Sequence, residues 1–315
     1  MVKYKGLRGT LERVIVSDTQ VDRQIEQMIE QYPKIIPVMG RPSQPGDELV
    51  LDYAGYADGV QFEGGTAKRQ MLTLGSGTFI PGFEEQLAGK NIGDEVDVHV
   101  TFPARYHAPH LAGKKAVFRC TIHEIRLKQK YAPDDAFARD VTGLDSFAAL
   151  KHRVRETLQS RADQQAEEDL KAHLLDQLIG DDDVPEDQIE AAVEQQMQAL
   201  EARLGQQGLT LDAYCRFTGR TGAQLRSDCL PDARKGLLRQ RVIGEIAAAE
   251  GIEADEASVA EALRDICRQN NMTVEQLSAH LDDTAQSAII QNVITGKVLD
   301  LIRKSAVVET IEKST

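Results

Sequence analysis

Between Gly46 and Glu124 apolar residues alternate with polar ones in short runs: Leu49-Val50-Leu51-Asp52-Tyr53, Met71-Leu72-Thr73-Leu74, Val96-Asp97-Val98-His99-Val100 and Ala116-Val117-Phe118-Arg119-Cys120-Thr121-Ile122. A period of two, punctuated by turn residues, predicts the strands of a small antiparallel sheet. Asp58-Gly59, set between Tyr53-Ala54-Gly55-Tyr56 and Val60-Gln61-Phe62, is a hairpin signal. Between Leu74 and Val96 the segment from Ile80 to Leu87 leaves room for one short helix after Pro81, a residue suited to a first helical turn because its missing N–H would be unpaired there. A sheet wrapped on one helix encloses a pocket.

The pattern differs on either side. Lys3 to Val16 reads as extended, and Ser17-Asp18 then caps a helix that carries Val21, Ile25, Met28 and Ile29 on one face and is ended by Pro33 and Pro37. Pro42, Pro45 and Gly46 lead into the sheet region, which closes near Lys128; Gln129 to Asp135 reads as a linker. From Phe137 the period changes to 3.6. Phe147, Leu150, Val154 and Leu158 continue through Leu170, Leu174 and Leu178 as one long amphipathic helix stopped at Gly180. Further helices are predicted from Pro185 past Leu204, at Leu211–Thr218, at Gly222–Glu250 with Pro231 as a kink, and at Asp255–Asn270, Thr273–Leu281 and Thr284–Lys304. No aromatic residue follows Phe217, so these helices pack with Leu, Ile, Val and Ala.

Composition narrows the function classes. With 315 residues the chain has room for two domains. Lys and Arg total 37 against 50 Asp and Glu, a formal charge of −13, which offers no general attraction to nucleic acid or an anionic membrane. The four cysteines are scattered, as free thiols in a reducing compartment are, and the N-terminus has no apolar leader core, so a cytoplasmic location is expected. His107-x-x-His110 is half of a metal site without a complementary pair, Asp181-Asp182-Asp183 lacks the glycine and terminal Glu of a calcium loop, and Gly75-x-Gly77 lacks the context of a dinucleotide site. No metal and no cofactor is expected.

The words Phe62-Glu63-Gly64-Gly65, Gly75-Ser76-Gly77, Ile80-Pro81-Gly82-Phe83-Glu84, Thr101-Phe102-Pro103, Tyr106-His107-Ala108 and Leu111-Ala112-Gly113-Lys114 occur here in one order over the sheet region. In this they resemble an FKBP-type prolyl isomerase, and most closely the isomerase domain of the bacterial trigger factor family. The later helices resemble that family's C-terminal region more loosely, through Leu211-Asp212-Ala213-Tyr214, Thr218-Gly219, Leu225-Arg226 and Glu245-Ile246-Ala247 to Glu250-Gly251-Ile252.

The resemblance implies an α+β chain: an FKBP-like antiparallel β-sheet wrapped on a short helix, joined to an extended all-α domain with helical arms. It divides the chain into an N-terminal arm and helix (1–42) packing with the helical domain, an isomerase domain (43–128) and a helical chaperone domain (129–315). The family's ribosome-docking domain, with its Gly-Phe-Arg and Gly-Lys loop, has no counterpart in this sequence; Met1 opens either a naturally short chain or a truncated one, and no autonomous ribosome docking is expected.

The activity implied is peptidyl-prolyl cis-trans isomerisation, with unfolded or nascent polypeptides and their proline-containing segments as partners. An amide twisted through a barrier of about 18–20 kcal/mol loses charge separation, so a dry apolar cradle favours it over the planar state. By resemblance Tyr53, Phe62, Phe79, Ile80, Phe83, Tyr106, His107 and Phe118 line that cradle, with Phe83 as its floor, Tyr106 as a donor near the rim and Ile80 offering a side chain and an N–H. Gln70 stands where the family commonly has an aromatic, which implies a shortened wall, reduced activity and a gain in turnover for Gln70→Phe. The alternatives are a holdase whose FKBP-like domain has lost catalysis, and a scaffold in which the helices mediate assembly.

Overall fold

The computed structural model describes residues 2–106, 108–180, 182–270, 272–278 and 281–314. The chain separates into two compact units, Ser17–Leu158 and Met1–Val16 with Gln159–Thr315.

In the first unit, helix α1 (Asp18–Gln31) starts on a capping box. The Ser17 hydroxyl accepts the Gln20 N–H while the Gln20 side chain accepts the Ser17 N–H, satisfying two donors that a helix start leaves unpaired. Val21, Ile25 and Ile29, four residues apart, form its buried face. Strands β2 (Lys34–Pro37), β3 (Asp47–Ala57), β4 (Val60–Thr73), β5 (Glu95–Thr101) and β6 (Lys115–Gln129) build one antiparallel sheet. Its order is β2-β6-β3-β4, and β5 shares the free edge of β6 with β2 because β6 is long enough to serve both. The β3–β4 hairpin turns at Asp58 and Gly59, both at positive φ, as a tight two-residue connection requires. Helix α2 (Phe83–Leu87) packs Phe83 and Leu87 fully into the sheet's inner face. It begins at Phe83 rather than just after Pro81, because Gly82 adopts a left-handed φ of 87° that a helix interior does not admit.

The linker region ends in a short helical segment, α3 (Asp135–Phe137), capped by Asp134 and followed by a π-turn over Ala138–Thr142. The first residues of α4 (Phe147–Asp176) then join α1 through the Lys151–Asp22 and Arg155–Asp18 ion pairs. This division differs from the 1–42, 43–128 and 129–315 reading. Strand β2 bonds to β6 and α1 pairs with the start of α4, which places Ser17–Leu158 together and leaves only the strand before Ser17 with the later helices.

In the second unit β1 (Arg8–Ile15) pairs in parallel with β7 (Val307–Ser314), a strand unforeseen from the sequence. The unit also contains α5 (Glu186–Gln206), α6 (Leu211–Thr218), α7 (Gly222–Glu250), α8 (Glu256–Asn270), α9 (Val274–Ser278) and α10 (Asp283–Ser305), and α7 remains helical through Pro231. Tyr4, Leu170, Leu174, Val242, Ile243, Ile246, Val298 and Ile302 form one core, contributed by the N-terminal segment, α4, α7 and α10. A smaller cluster of Val193, Met197, Leu225 and Ala233 joins α5 to α7. The bidentate Arg303–Glu167 and Arg13–Asp163 pairs tie α10 and β1 to α4. No helix among the described residues is long and apolar enough to cross a membrane.

Candidate active site

The inner face of the sheet is not filled to its end. Beyond α2 it opens into a cavity of about 470 Å³ lined by Tyr53 from β3, Phe62, Gly64 and Gly65 from β4, Thr78 to Pro81 and Phe83 around α2, Phe102, Pro103 and Tyr106 after β5, and Phe118 from β6. Among the described residues no charged side chain lines it. Seven of the eight residues singled out from the sequence come together here: Tyr53, Phe62, Phe79, Ile80, Phe83, Tyr106 and Phe118. His107 lies outside the described residues.

Phe83 is wholly buried, and its ring centroid lies 4.9 Å from that of Phe79, 5.3 Å from Phe118 and 6.3 Å from Tyr53. Phe118 meets Phe62 edge to face at 5.7 Å, and Phe62 meets Phe102 in the same way at the same distance. Phe102 in turn packs against Tyr106 at 4.8 Å, the two rings tilted by 59°. Edge-to-face contacts of this kind are a favoured arrangement of aromatic pairs, and they link the rings of the wall to one another. Phe102, which sequence reasoning passed over, is buried between these two partners; its signal was the word Thr101-Phe102-Pro103.

Polar groups at the cavity are few. Burial pushes the Tyr53 phenol above its usual value, helped by the neighbouring Cys120 and Tyr106, and its hydroxyl has no hydrogen-bond partner among the described residues. The Ile80 N–H is likewise without a partner among them, although the Ile80 carbonyl accepts the Phe83 N–H at 3.0 Å. Cys120, across the strand from Tyr53, is fully buried; burial, with Asp97 nearby, pushes its thiol up to about 12, so it is no thiolate nucleophile.

The loop that carries Phe79 and Ile80 is held by one buried carboxylate. Glu84 Oε2 accepts the N–H groups of Gly75 and Gly77 at 2.8 and 3.1 Å, and Oε1 accepts the Phe79 N–H and the Ser76 hydroxyl, each at 3.2 Å. Burial drives this carboxyl upward, but the three backbone donors and Ser76 together outweigh it and hold Glu84 below the usual carboxylate range.

Gln70 is not part of the wall. It is exposed, its amide donates to the Met71 carbonyl at 3.2 Å, and it sits on the edge strand beyond an irregularity at Arg69, whose φ is 48° and whose N–H is taken by Asp52. The expectation of a wall shortened at Gln70 is therefore corrected: β4 reaches the cavity only through Phe62, Gly64 and Gly65.

The profile for FKBP-type peptidyl-prolyl cis-trans isomerases matches residues 40–123, and that for the bacterial trigger factor protein (TF) C-terminus matches residues 146–304. Trigger factor of Alkaliphilus metalliredigens (strain QYMF) is 37% identical over 305 residues, covering 96% of this chain and 71% of that protein. Trigger factor of Clostridioides difficile (strain 630) is 35% identical over 307 residues, covering 97% and 72%. A solved chain from work on promiscuous substrate recognition in folding and assembly activities of the trigger factor chaperone superposes with a TM-score of 0.52 at 18% identity, covering 94% of this chain and 71% of that one, a likeness of fold. Matched along nearly its whole length by these relatives, with an FKBP-type profile over the sheet and a trigger factor profile over the helices, the chain belongs to the bacterial trigger factor family.

Proposed function

We propose that this chain is a peptidyl-prolyl cis-trans isomerase whose helical region also holds unfolded or nascent polypeptides. The observation that carries the reading is an aromatic cavity with no charged side chain in its described lining and two unclaimed donors, the Tyr53 hydroxyl and the Ile80 N–H. No bond is cleaved in prolyl isomerisation; the protein must only favour an amide that has lost its planarity. Walls of Phe62, Phe79, Phe83, Phe102 and Phe118 exclude the water that stabilises the planar, charge-separated amide, and a fixed donor receives the substrate carbonyl as it turns. Tyr106 supplies the rim.

Chain holding is supported by exposed apolar residues in the helical unit. Phe217 is 92% exposed, and Leu209, Leu230 and Ile290 are also exposed. An exposed phenylalanine gains about 25 cal/mol per Å² when an apolar client covers it.

A proline-limited refolding assay tests the first half. Acceleration by the wild-type chain, largely lost in Phe79→Ala, is expected; an unchanged slow phase defeats it. Suppression of client aggregation, weakened by Phe217→Ser, tests the second. The reading of a pocket made non-catalytic by Gln70 loses its basis, since Gln70 does not border the cavity.

A further inference from the structure

Gly55 on β3 and Gly65 on β4 are two glycines whose backbones do not require glycine. Neither has a positive φ, unlike Gly64 beside them at 77°. The space around them does require it. A Cβ built on Gly65 would lie 2.3 Å from Cε2, 2.7 Å from Cζ and 2.8 Å from Cδ2 of Phe62. One built on Gly55 would lie 2.6 Å from Cζ and 2.8 Å from Cε1 of the same ring, and 2.7 Å from Cε1 of Phe118. Carbon atoms rest at about 3.5–4.0 Å, so each substitution demands that a ring move by roughly an ångström. A phenyl ring is rigid and cannot yield at its far end alone; it must swing as a whole.

We propose that Gly55 and Gly65 are positioning residues of the proline pocket: their two missing side chains form the seat that keeps the Phe62 ring edge-on to Phe102 and Phe118. Phe62 lines the cavity while making both of those ring contacts, so moving its ring reshapes the wall that a prolyl ring meets. The inference rests on reading the cavity as the proline site, and adds that the wall's shape is set by Gly55 outside the lining and Gly65 on it, both acting through the Phe62 ring that fills the space of their side chains.

Gly65 is the cleaner probe, because its three nearest atoms all belong to Phe62. With the full chain and a chromogenic Xaa-Pro tetrapeptide, kcat and KM are measured for wild type, Gly65→Ala, Phe62→Ala and the double variant. Gly65→Ala is expected to lower kcat/KM by on the order of tenfold or more, within the roughly hundredfold that an ångström's misplacement can cost. In the Phe62→Ala background the same change should cost no more than about twofold. An equal loss in both backgrounds, or no loss in the first, overturns the proposal. Should Gly65→Ala fail to fold, Phe62→Leu added to it must restore folding, and failure to do so also overturns it. If the wild-type chain has no isomerase activity, the functional reading falls by itself. The seat is then decided by nuclear Overhauser contacts from the Phe62 ring protons to the α-protons of Gly55 and Gly65: their presence upholds it and their absence refutes it.

Discussion

The Glu84 carboxylate accepts the Gly75 N–H at 2.8 Å, so a residue of the pocket's helix anchors the start of the loop that leads into the pocket's own wall. Since the same carboxylate also takes the N–H groups of Gly77 and Phe79, the loop's backbone is set by a charge beneath it. Glu84→Gln removes that charge and leaves one acceptor oxygen for four donors. A loss of about 2 kcal/mol at pH 7 is expected, the scale of hydrogen bonds to a charged group. The carboxyl is held below its ordinary value in the fold, so its contribution is complete above the unfolded-state value and disappears as pH falls through the folded-state value. Calorimetry should therefore find wild type and Glu84→Gln well separated at neutral pH and converging in acid below about pH 4. A gap that stays constant into acid would contradict this account.

Tyr53→Phe removes a hydroxyl that lines the cavity without a partner among the described residues, and leaves the ring contacts to Phe79 and Phe118 in place. Stability should change little, while kcat/KM on a proline peptide falls by roughly 5- to 10-fold, the value of one hydrogen bond. Because burial raises this phenol's pKa, the wild-type rate should stay level up to about pH 9.

Phe83 and Phe79 separate stability from catalysis. Phe83 is 0% exposed beneath the cavity, so Phe83→Ala should destabilise the sheet unit by about 3–5 kcal/mol. Phe79 is only partly buried, and Phe79→Ala should cost much less in urea denaturation yet still lower the isomerisation rate. Equal destabilisation by both would show that the cavity edge is ordinary core.

Gln70→Phe should leave turnover within about twofold of wild type, because the side chain is exposed and outside the lining. A clear gain measured on the same tetrapeptide would return Gln70 to the wall.

In the helical unit Gly9 lies against α4: a Cβ there would come within 2.6 Å of Leu170 Cδ1 and 3.1 Å of Leu174 Cδ2. Gly9→Val should destabilise this unit by about 1–3 kcal/mol through overpacking, seen as faster hydrogen exchange in α4 and the β1–β7 pair, with the isomerase rate unchanged.

Local regularities carried much of this from residue to structure. Alternation marked four of the sheet's five strands, Asp58-Gly59 marked the hairpin, and the 3.6 period placed helices such as Leu211–Thr218 and Gly222–Glu250 at their observed limits. These features depend on neighbours close in the chain, through backbone preference and the side on which apolar residues fall. Most of the cavity's lining was named in another way, by resemblance of words such as Ile80-Pro81-Gly82-Phe83-Glu84 to the FKBP-type family, since its residues come from separate stretches of the chain.

What needed the folded chain is of another kind. Strand β7 became a strand because β1, at the other end of the sequence, offers it a parallel ladder; its own stretch is short and half polar. Gln70 shares the parity of the buried Leu72 and Leu74, yet it is exposed on the edge strand, next to a register shift that parts it from the stretch of β4 lining the cavity, and no periodicity shows a break in register. Phe102 entered the wall by packing between the rings of Phe62 and Tyr106, and Gly55 and Gly65 stay bare because one ring occupies the space of their side chains. Burial, pairing across the chain and the room left beside a ring are decided by residues distant in sequence, and only their meeting in three dimensions assigns them.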